Sequence, residues 1–466
     1  MLLFYLGSHT IGAVAVLAGL AVFALLAFIR PRLALLLVPL TVPLYLMPAP
    51  LAGLQTASGR AVVVPIHEAA LVLAVAAWFA RGAWRLYAVE AQRPLGVVAR
   101  GTLSGIPVMF GWRDIPIALF LVGSLLGLAT AIVDGPALRE LRWLVLEPLV
   151  FYGLARFYLA HPRYGRSYAM LLIGALSLGA TIAAVIGILQ FVGIDLVPWI
   201  GVKQCTCDNV MTYGAARRVS SVYGSPNNLA LFLERVWPIA AALAVFLVRR
   251  RAHSTQARRY AARFGAVVVF SIIGIVVSFS RGAWLGSVVA LGVLAVALAP
   301  SRGGLSSRLR SPSMLIGMLL AVVLGGAMLM LRNDTLVGGS SVRLLLWQEA
   351  LGYLARNPLG LGLDQFLYYH NPESGRSLIA PALIGTPAAT VSHPHNMLLD
   401  TWLRISPLGL IALVWLLIDF FRRGNMYLRT TASDPLVIGA LAAMAGAVMH
   451  GLVDQFYFVP DLAIVF

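Results

Sequence analysis

The sequence predicts an all-α polytopic membrane protein that crosses the bilayer about twelve times. Apolar residues make up 60% of the 466 residues and charged residues only 11%, and the mean hydropathy of +0.87 is far above that of water-soluble domains. Apolar runs of about 20 residues recur along the chain, and each is long enough to cross a bilayer as a helix. The net charge of +17 reflects basic residues between these runs. We interpret it as the basic bias of cytoplasmic loops and do not expect nucleic-acid binding.

Hydropathy places each span to within several residues. The first run, Thr10 to Ile29, is too long for a signal-peptide core and has no basic segment before it, so we expect a retained helix. An apolar tail, Phe456 to Phe466, begins a thirteenth run and stops short, so we expect that the chain either lacks its last helix or ends in a partial one. Residues 1–466 are expected to form one polytopic domain. The twelve predicted spans are roughly 10–29, 33–52, 62–80, 115–133, 143–160, 168–193, 228–248, 264–280, 283–300, 314–331, 397–421 and 435–453.

The basic residues also predict the orientation of the helices. One set of alternate loops, which includes the run from Arg249 to Arg263, holds most of them and is therefore expected in the cytoplasm. The other set then faces outward. It contains the loop 194–227 and a long extracytoplasmic loop region, 332–396, most of which is too polar to cross a bilayer. The same assignment places the amino terminus outside.

Two further segments carry no predicted chemistry. Segment 81–113 combines Trp84 and Tyr87 with several arginines, which is typical of an amphipathic helix at the membrane surface. Cys205 and Cys207 form one Cys-Thr-Cys pair, which is too few for a structural zinc site. They form either a local disulfide or, as we expect, two free thiols.

Two places on the outward side hold arginines next to helix ends. Arg217 and Arg218 precede a Gly-Ser-Pro-Asn segment that ends at Asn227 and leads into a helix. Forked guanidiniums and free N–H groups at a helix N-terminus suit an anion, and lipid headgroups are the alternative partner. Arg281 lies between two apolar helices, where a cation is costly unless it is paired or hydrated. It is either functional or reaches the membrane surface at a tight hairpin.

The long outward region contains a predicted helix and a turn. Arg343, Trp347 and Glu349 share helical spacing, and Pro358 with the glycines after it dictates a turn. A single charged amphipathic helix is more often scaffold than site. Arg343 is therefore a secondary candidate.

The region closes on His393-Pro394-His395-Asn396, directly before an apolar run. A histidine is suited to moving a proton near neutral pH, and an asparagine can orient it or hold a sugar hydroxyl. Two other interpretations stay open. The histidines could bind a metal, although the sequence offers no evident third ligand, or the His-Asn pair simply caps the helix.

Charges inside the predicted helices are weaker candidates, because intramembrane ion pairs are structural about as often as they are functional. Glu234 and Arg235 lie two turns after the helix entry Pro226-Asn227-Asn228, and we expect them to be buried partners of this entry. The full set is Glu68, Glu147, Arg156, Glu234, Arg235 and Asp419, with His450 and Asp454 near the end of the last full helix.

Short motifs follow one another through residues 217–466. They are Arg217-Arg218 with Gly224-Ser225-Pro226-Asn227, then Ser280-Arg281-Gly282-Ala283-Trp284, Trp347, Asn357-Pro358-Leu359-Gly360-Leu361-Gly362, His395-Asn396 with Gly409, and His450-Gly451-Leu452-Val453-Asp454. Their order and shared sidedness resemble the O-antigen ligase/polymerase family of bacterial envelope enzymes. Residues before 200 match that family only as a stack of helices.

The resemblance implies a GT-C-like fold, in which membrane helices carry out glycosyl transfer beneath a large extracytoplasmic loop. It also implies three partners: a glycan donor linked to undecaprenyl diphosphate, an acceptor linked to lipid or glycan, and membrane lipids. Members move the glycan from its carrier to an acceptor hydroxyl. Neither a cofactor nor a metal ion is expected.

In family terms, Arg217, Arg218 and Arg281 hold the diphosphate of the carrier, while His395 and Asn396 form the catalytic pair. The chemistry agrees, since guanidiniums stabilise charge on a departing diphosphate and a histidine accepts the proton of an incoming hydroxyl. The secondary candidates are Asn227, Arg343, His393 and Asp454.

The implied activity is that of an O-antigen ligase in the maturation of lipopolysaccharide or another surface glycan. The implied location is the bacterial inner membrane, with the site facing the periplasm or the cell exterior. A chain polymerase of the same family is the first alternative, because the two activities share these motifs. A bicarbonate-type transporter is the alternative from another class. Clustering of the polar signals at one face favours the enzyme, since transporters more often place charges at the midplane of both halves.

Overall fold

Helices form most of the structure, as predicted. This arrangement satisfies the backbone hydrogen-bonding groups of a chain that must cross lipid. The computed structural model describes residues 13–55, 61–90, 111, 114–201, 203–205, 207–213, 216–250, 254–298, 340–431 and 434–466.

The first part of the described chain is a series of helices interrupted by one hairpin. A 3-10 turn, Val42–Leu44, follows α3, and a π turn, Arg142–Leu146, joins α6 to α7. The elements are α1 (Ala13–Ile29), α2 (Pro31–Ala34), α3 (Leu37–Thr41), β1 (Ala49–Gln55), β2 (Ala61–Val64), α4 (Ile66–Glu90), α5 (Ile115–Ala129), α6 (Asp134–Leu141), α7 (Glu147–Leu159) and α8 (Gly165–Phe191).

The second part begins with a short helix and an antiparallel hairpin, β3 with β4. Three 3-10 turns, Pro372–Ser374, Pro381–Leu383 and Pro387–Thr390, lie between α14 and α15. The elements are α9 (Val197–Ile200), β3 (Val210–Tyr213), β4 (Ala216–Val219), α10 (Pro226–Arg250), α11 (Thr255–Ser278), α12 (Arg281–Leu298), α13 (Ser340–Arg356), α14 (Phe366–His370), α15 (Met397–Thr430), α16 (Pro435–Gly451) and α17 (Pro460–Val465).

Six helices of the described chain are long and apolar enough to cross a membrane: α4, α8, α10, α11, α12 and α15. Shorter apolar helices cover Ala18–Ile29, Pro31–Leu44, Ile115–Ala129 and Pro435–Gly451. The predicted span 314–331 lies outside the described residues. The multi-pass class is therefore confirmed, and the total of twelve spans stays a prediction.

The predicted span 33–52 is wrong as a continuous helix. The chain there forms a broken helix, Pro31–Leu44, and then strand β1, which pairs antiparallel with β2. Pro39 and Pro43 lack the N–H that an α-helix needs and disturb the preceding turn. An average of hydropathy over the window does not register this break.

The structure also bears on three smaller expectations. Of the predicted surface helix 81–113, residues up to Glu90 continue α4, and 91–110 and 112–113 lie outside the described residues. Cys205 and Cys207 are joined as a disulfide, so the expectation of two free thiols is wrong. The apolar tail contains the short helix α17.

The helices alternate in direction, so one end of the bundle collects element ends that are distant in sequence. Helices α10, α12 and α15 begin there, and α8, α11 and α16 end there. At the opposite end, Arg249 at the end of α10 donates to the carbonyl of Leu298 at the end of α12, 2.5 Å away. The loop 194–227 and the described part of 332–396 therefore lie at the same end of the bundle.

Residues 340–396 form a small lobe over that end. Helix α13 confirms the helical spacing predicted for Arg343, Trp347 and Glu349. Leu403 of α15 joins the apolar core of the lobe, so the lobe packs directly on a membrane helix. The buried core residues are Leu346, Ala350, Tyr353, Leu354, Leu361, Phe366, Leu383, Ala388 and Leu403.

Helix α15 is kinked near its start. Ile405 and Ser406 leave the helical conformation just before Pro407, because proline cannot donate the next helical hydrogen bond. Helix α5 packs closely against this kink. A Cβ on Gly127 of α5 would lie 2.1 Å from the carbonyl oxygen of Arg404, so glycine is required for the approach.

Candidate active site

A polar cavity of about 520 Å³ lies where the lobe meets the starts of α10, α12 and α15. Its lining draws on segments that are far apart in sequence, and basic side chains outnumber acidic ones among the described residues. The cavity therefore favours an anion. The ionisable lining residues are Arg218, Arg281, Arg343, Asp208, Asp454, His393 and His395.

Asp454 is a buried hydrogen-bonding centre of this cavity, with 2% of its surface exposed. Its Oδ2 accepts a hydrogen bond from Asn227 Nδ2 at 2.6 Å and lies 3.6 Å from Arg343 Nη2. Its Oδ1 accepts from the backbone N–H of Gln455 at 2.8 Å and lies 3.0 Å from His395 Nδ1. Burial raises the pKa of Asp454, but the neighbouring imidazoles and guanidinium outweigh burial and hold that pKa well below its usual range.

His395 is held by both its backbone and its ring. Its φ of +53° lies in the left-handed region that non-glycine residues rarely adopt, and its carbonyl accepts from Trp347 Nε1 at 3.3 Å. Because Asp454 engages Nδ1, Nε2 is the ring nitrogen left for a substrate. Asn396 caps α15 by accepting from two of its backbone N–H groups, so the cap interpretation holds for Asn396.

His393 lines the same cavity, but its ring is hydrogen-bonded to a different residue, Gln455. Its Nδ1 lies 2.8 Å from Gln455 Nε2, and its Nε2 lies 3.6 Å from Asp454 Oδ1. Burial, and then the nearby His395, lower the pKa of His393 to about 4. It is therefore neutral at neutral pH and a poorer base than an imidazole with an ordinary pKa.

Arg218 is fixed in place by hydrogen bonds to two helices. Its Nε donates to the carbonyl of Ser278 at the end of α11 at 3.0 Å, and its Nη2 donates to Asn227 Oδ1 at 2.9 Å. Asn227 in turn donates to Asp454, so this arginine is coupled to the carboxylate through one amide. The guanidinium is thus oriented before any ligand binds.

Arg281 and Arg343 complete the basic lining. Burial lowers the pKa of Arg343, Asp454 opposes this effect, and the nearby Arg281 guanidinium adds to it. Two neighbouring cations repel each other, and a bound anion offsets that repulsion. The pair therefore gains from a ligand with several negative oxygens.

Arg217 does not line this cavity, contrary to the prediction. Its Nη2 donates to the carbonyl of Gln190 near the end of α8, 2.9 Å away. Arg217 and Arg218 are consecutive residues of β4, and consecutive strand residues point to opposite faces. Only one of the two can face the cavity, and that residue is Arg218.

His393, His395 and Asp454 offer ligand atoms within 4.8 Å of one another, which is close enough for a metal ion. Asp454 would then supply the third ligand atom that the sequence does not reveal. However, Asp454 already accepts from Asn227 and lies against Arg343. The basic lining also repels a divalent cation. These residues fit an anion better than a metal.

Two supporting residues are absent from the site predicted by sequence. Gln455 lies beside His393, and Arg404 Nη2 donates to the carbonyl of Ser392 at 3.1 Å. Arg404 also bonds to Glu140 and, through Nε, to Asp400 Oδ1 at 2.7 Å. The sequence signal that could have identified Arg404 is its spacing of four residues from Asp400, an opposite charge in the same apolar helix.

Glu234 and Arg235 bond to other residues than the helix entry Pro226-Asn227-Asn228, so the expectation that they are its buried partners is wrong. Glu234 Oε2 lies 3.0 Å from His450 Nδ1. Arg235 donates to backbone carbonyls within α10 and after α16. Consecutive residues of a helix point about 100° apart, so the adjacent side chains of Glu234 and Arg235 face different neighbours.

The fold and the cavity define a multi-pass membrane protein with an arginine-lined polar site at one end of its bundle. Residues 266–417 match the family described as O-antigen ligase, and this match supports the predicted resemblance to the O-antigen ligase/polymerase family. No curated protein matches the chain. The matched region contains Arg281, Arg343 and His395, whereas Arg218 and Asp454 reach the cavity from outside it.

Proposed function

We propose that this protein is a membrane glycosyltransferase that moves a glycan from an undecaprenyl-diphosphate carrier to an acceptor hydroxyl. The observation that carries the proposal is the meeting of three guanidiniums with an imidazole–carboxylate pair in one cavity. A lipid diphosphate needs clustered cations, and an acceptor hydroxyl needs a base. Both requirements are met within the same cavity.

The proposed reaction forms one bond and breaks one. The acceptor oxygen attacks the anomeric carbon of the donor, the bond from that carbon to the diphosphate oxygen breaks, and the hydroxyl proton moves to His395 Nε2. The diphosphate leaves with the electron pair of the broken bond. Arg218, Arg281 and Arg343 stabilise its charge, and Asp454 stabilises the imidazolium that forms.

Asn396 is proposed to position the base. Its Oδ1 accepts from N–H groups of α15, and its Nδ2 donates to the carbonyl of Leu452 at 3.1 Å. These bonds join the start of α15 to the segment that carries Asp454. The side chain therefore supports the relative placement of His395 and Asp454 without contacting substrate.

The proposal assigns the electrophilic role to arginines, so transfer is expected to need no metal ion and no cofactor. Guanidiniums supply fixed positive charge where a diphosphate departs. Purified protein should keep its transfer rate in EDTA. Loss of transfer that divalent metal restores would instead point to His393, His395 and Asp454 as ligands.

A deletion strain tests the function directly. We expect the carrier-linked glycan to accumulate and the acceptor to remain unmodified. Single repeat units on the acceptor, with long chains lost, would indicate the polymerase alternative. Changed solute uptake with normal surface glycans would indicate a transporter and contradict the proposal.

The location is also part of the proposal. We place the cavity on the periplasmic or exterior face of a bacterial inner membrane, because the described arginines at the end of α10 and the start of α11 lie at the other end of the bundle. Residues 1–466 would act as one polytopic domain with a GT-C-like arrangement. The region 332–396 would then cover the site.

A further inference from the structure

A third imidazole, that of His450, lies behind Asp454, inside the bundle, and takes no part in the reaction described above. His450 at the end of α16 and Glu234 in α10 are buried, with exposed fractions of 0% and 1%. His450 Nδ1 lies 3.0 Å from Glu234 Oε2, and its Nε2 lies 3.9 Å from Asp454 Oδ2. The imidazole therefore stands between two buried carboxyl groups.

Helix α12, which begins with Arg281, provides the space for this pair. A Cβ on Gly282 would lie 2.2 Å from His450 Cδ2, and a Cβ on Gly286 would lie 2.9 Å from Glu234 Oε2. The two glycines are four residues apart and so share one face of the helix. The glycine of the Ser-Arg-Gly-Ala-Trp motif thus has a packing reason, since it admits the His450 ring.

His450 Nε2 is a buried atom with no hydrogen-bond partner among the described residues, and at 3.9 Å it lies beyond hydrogen-bond distance of Asp454 Oδ2. Its interaction with Asp454 is therefore electrostatic. An N–H on this nitrogen directs its positive end at the carboxylate, whereas a bare lone pair repels it, so the tautomer with a hydrogen on Nε2 favours an ionised Asp454. The other ring nitrogen, Nδ1, faces Glu234 Oε2.

We infer that His450 and Glu234 are positioning residues that fix the charge and orientation of Asp454, and through it of His395. The inference rests on the proposed function, because it describes how the base of that reaction is held. Asn227 and Arg343 contact Asp454 Oδ2 from the cavity side. With His450 on the other side of this oxygen, Oδ1 stays directed at His395.

The space that Gly282 and Gly286 leave for the His450–Glu234 pair is called the slot, and a double-mutant cycle tests it. Gly282→Ala should lower glycan transfer by about tenfold or more in the wild-type background, and it should add little in the His450→Ala background, because the clash is then gone. Gly292→Ala is the matched control, since Gly292 lies on the same helix and a Cβ there meets nothing within 4 Å. An equal loss of transfer from Gly282→Ala in both backgrounds would contradict the claim that Gly282 admits the His450 ring. Thermal unfolding of the same variants provides a readout that needs no activity.

Two substitutions of His450 that occupy the same space distinguish a positioning role of its N–H from a role in packing. His450→Gln retains an N–H donor near Asp454, whereas His450→Leu has a similar volume and none. We expect the two variants to unfold at similar temperatures, with kcat lower in His450→Leu than in His450→Gln and KM for the donor unchanged in both. Wild-type kcat in His450→Leu would overturn the positioning role.

Carbethoxylation of His395, measured by peptide mass spectrometry, keeps this inference separate from the proposed function. A loosened Asp454 frees the His395 ring, so its modification rate should rise in His450→Leu and stay at the wild-type value in Gly292→Ala. An unchanged rate in His450→Leu would remove the positioning role even if the wild-type protein transfers glycan. A wild-type protein without transfer activity would remove the proposed function, while the packing results would still stand.

Discussion

Nδ1 of His395 lies 3.0 Å from Oδ1 of Asp454, although the two residues are 59 positions apart in the chain. His395 precedes the start of α15, and Asp454 follows the end of α16. The antiparallel course of these two helices returns the chain to the same end of the bundle. The carboxylate then selects which nitrogen of His395 remains for a substrate.

The arginines should not tolerate replacement by lysine. Arg218→Lys and Arg281→Lys keep the charge but lose the forked donors that bind two phosphate oxygens, so we expect transfer to fall by about 10- to 100-fold. Arg217→Lys is the matched control, because Arg217 faces Gln190 outside the cavity. Near-normal transfer by both cavity variants in a purified assay would contradict the diphosphate contact.

Arg404 should be a large contributor to stability. Arg404→Met leaves the buried carboxyl groups of Glu140 and Asp400 without their cation, which is expected to cost about 3–5 kcal/mol. Arg422→Met removes an exposed partner of an aspartate and should cost about 0–1 kcal/mol. Thermal unfolding in detergent compares the two. Similar unfolding temperatures for both variants would show that the Arg404 network is not stabilising.

The lobe should loosen as the pH rises. Burial lowers the pKa of His370, but hydrogen bonds to Glu349 and to the carbonyl of Ala388 outweigh burial and raise it above 6.5. A raised folded-state pKa means that the stabilisation is fully present below pH 6.5 and is lost as the pH passes the folded-state value. Limited proteolysis of the lobe should therefore speed up with pH. If the His370→Gln variant shows the same pH dependence of proteolysis, His370 is not the group that causes it.

The orientation of the bundle can be tested by labelling single cysteines in a background of Cys205→Ser and Cys207→Ser. Glu373→Cys lies on the exposed surface of the lobe, and Thr255→Cys lies at the exposed start of α11. An impermeant reagent should label the first in intact cells and the second only after lysis, because the basic loops are expected inside. The reverse pattern would place the cavity in the cytoplasm.

Much of the fold follows from local sequence, because a membrane helix must satisfy its own backbone and bury its apolar faces. Hydropathy therefore locates the long helices well. It fails at 33–52, where Pro39 and Pro43 interrupt a run whose average hydropathy is still high. Hydropathy also gives no sign of the hairpin β3–β4 or of the kink at Ser406.

The sequence predicts which residue types form the site but not the contacts between them. The positions of Arg218, Arg281 and His395 follow from polar residues at helix ends. The exclusion of Arg217 depends on a strand that the sequence did not indicate. The bond between His395 and Asp454 depends on tertiary packing across 59 positions, which one sequence cannot supply.

The most direct test of the account is glycan transfer by the purified protein from an undecaprenyl-diphosphate-linked donor to its acceptor, compared between wild type and His395→Ala. The wild-type protein should glycosylate the acceptor and release the carrier diphosphate in equal amounts. His395→Ala should be slower by about 10²–10⁴-fold, because a general base contributes that much, while donor binding and thermal unfolding stay close to wild type. His393→Ala should lose much less. Full transfer by His395→Ala would contradict the base, and no transfer by a folded wild-type protein with donor and acceptor present would contradict the function itself.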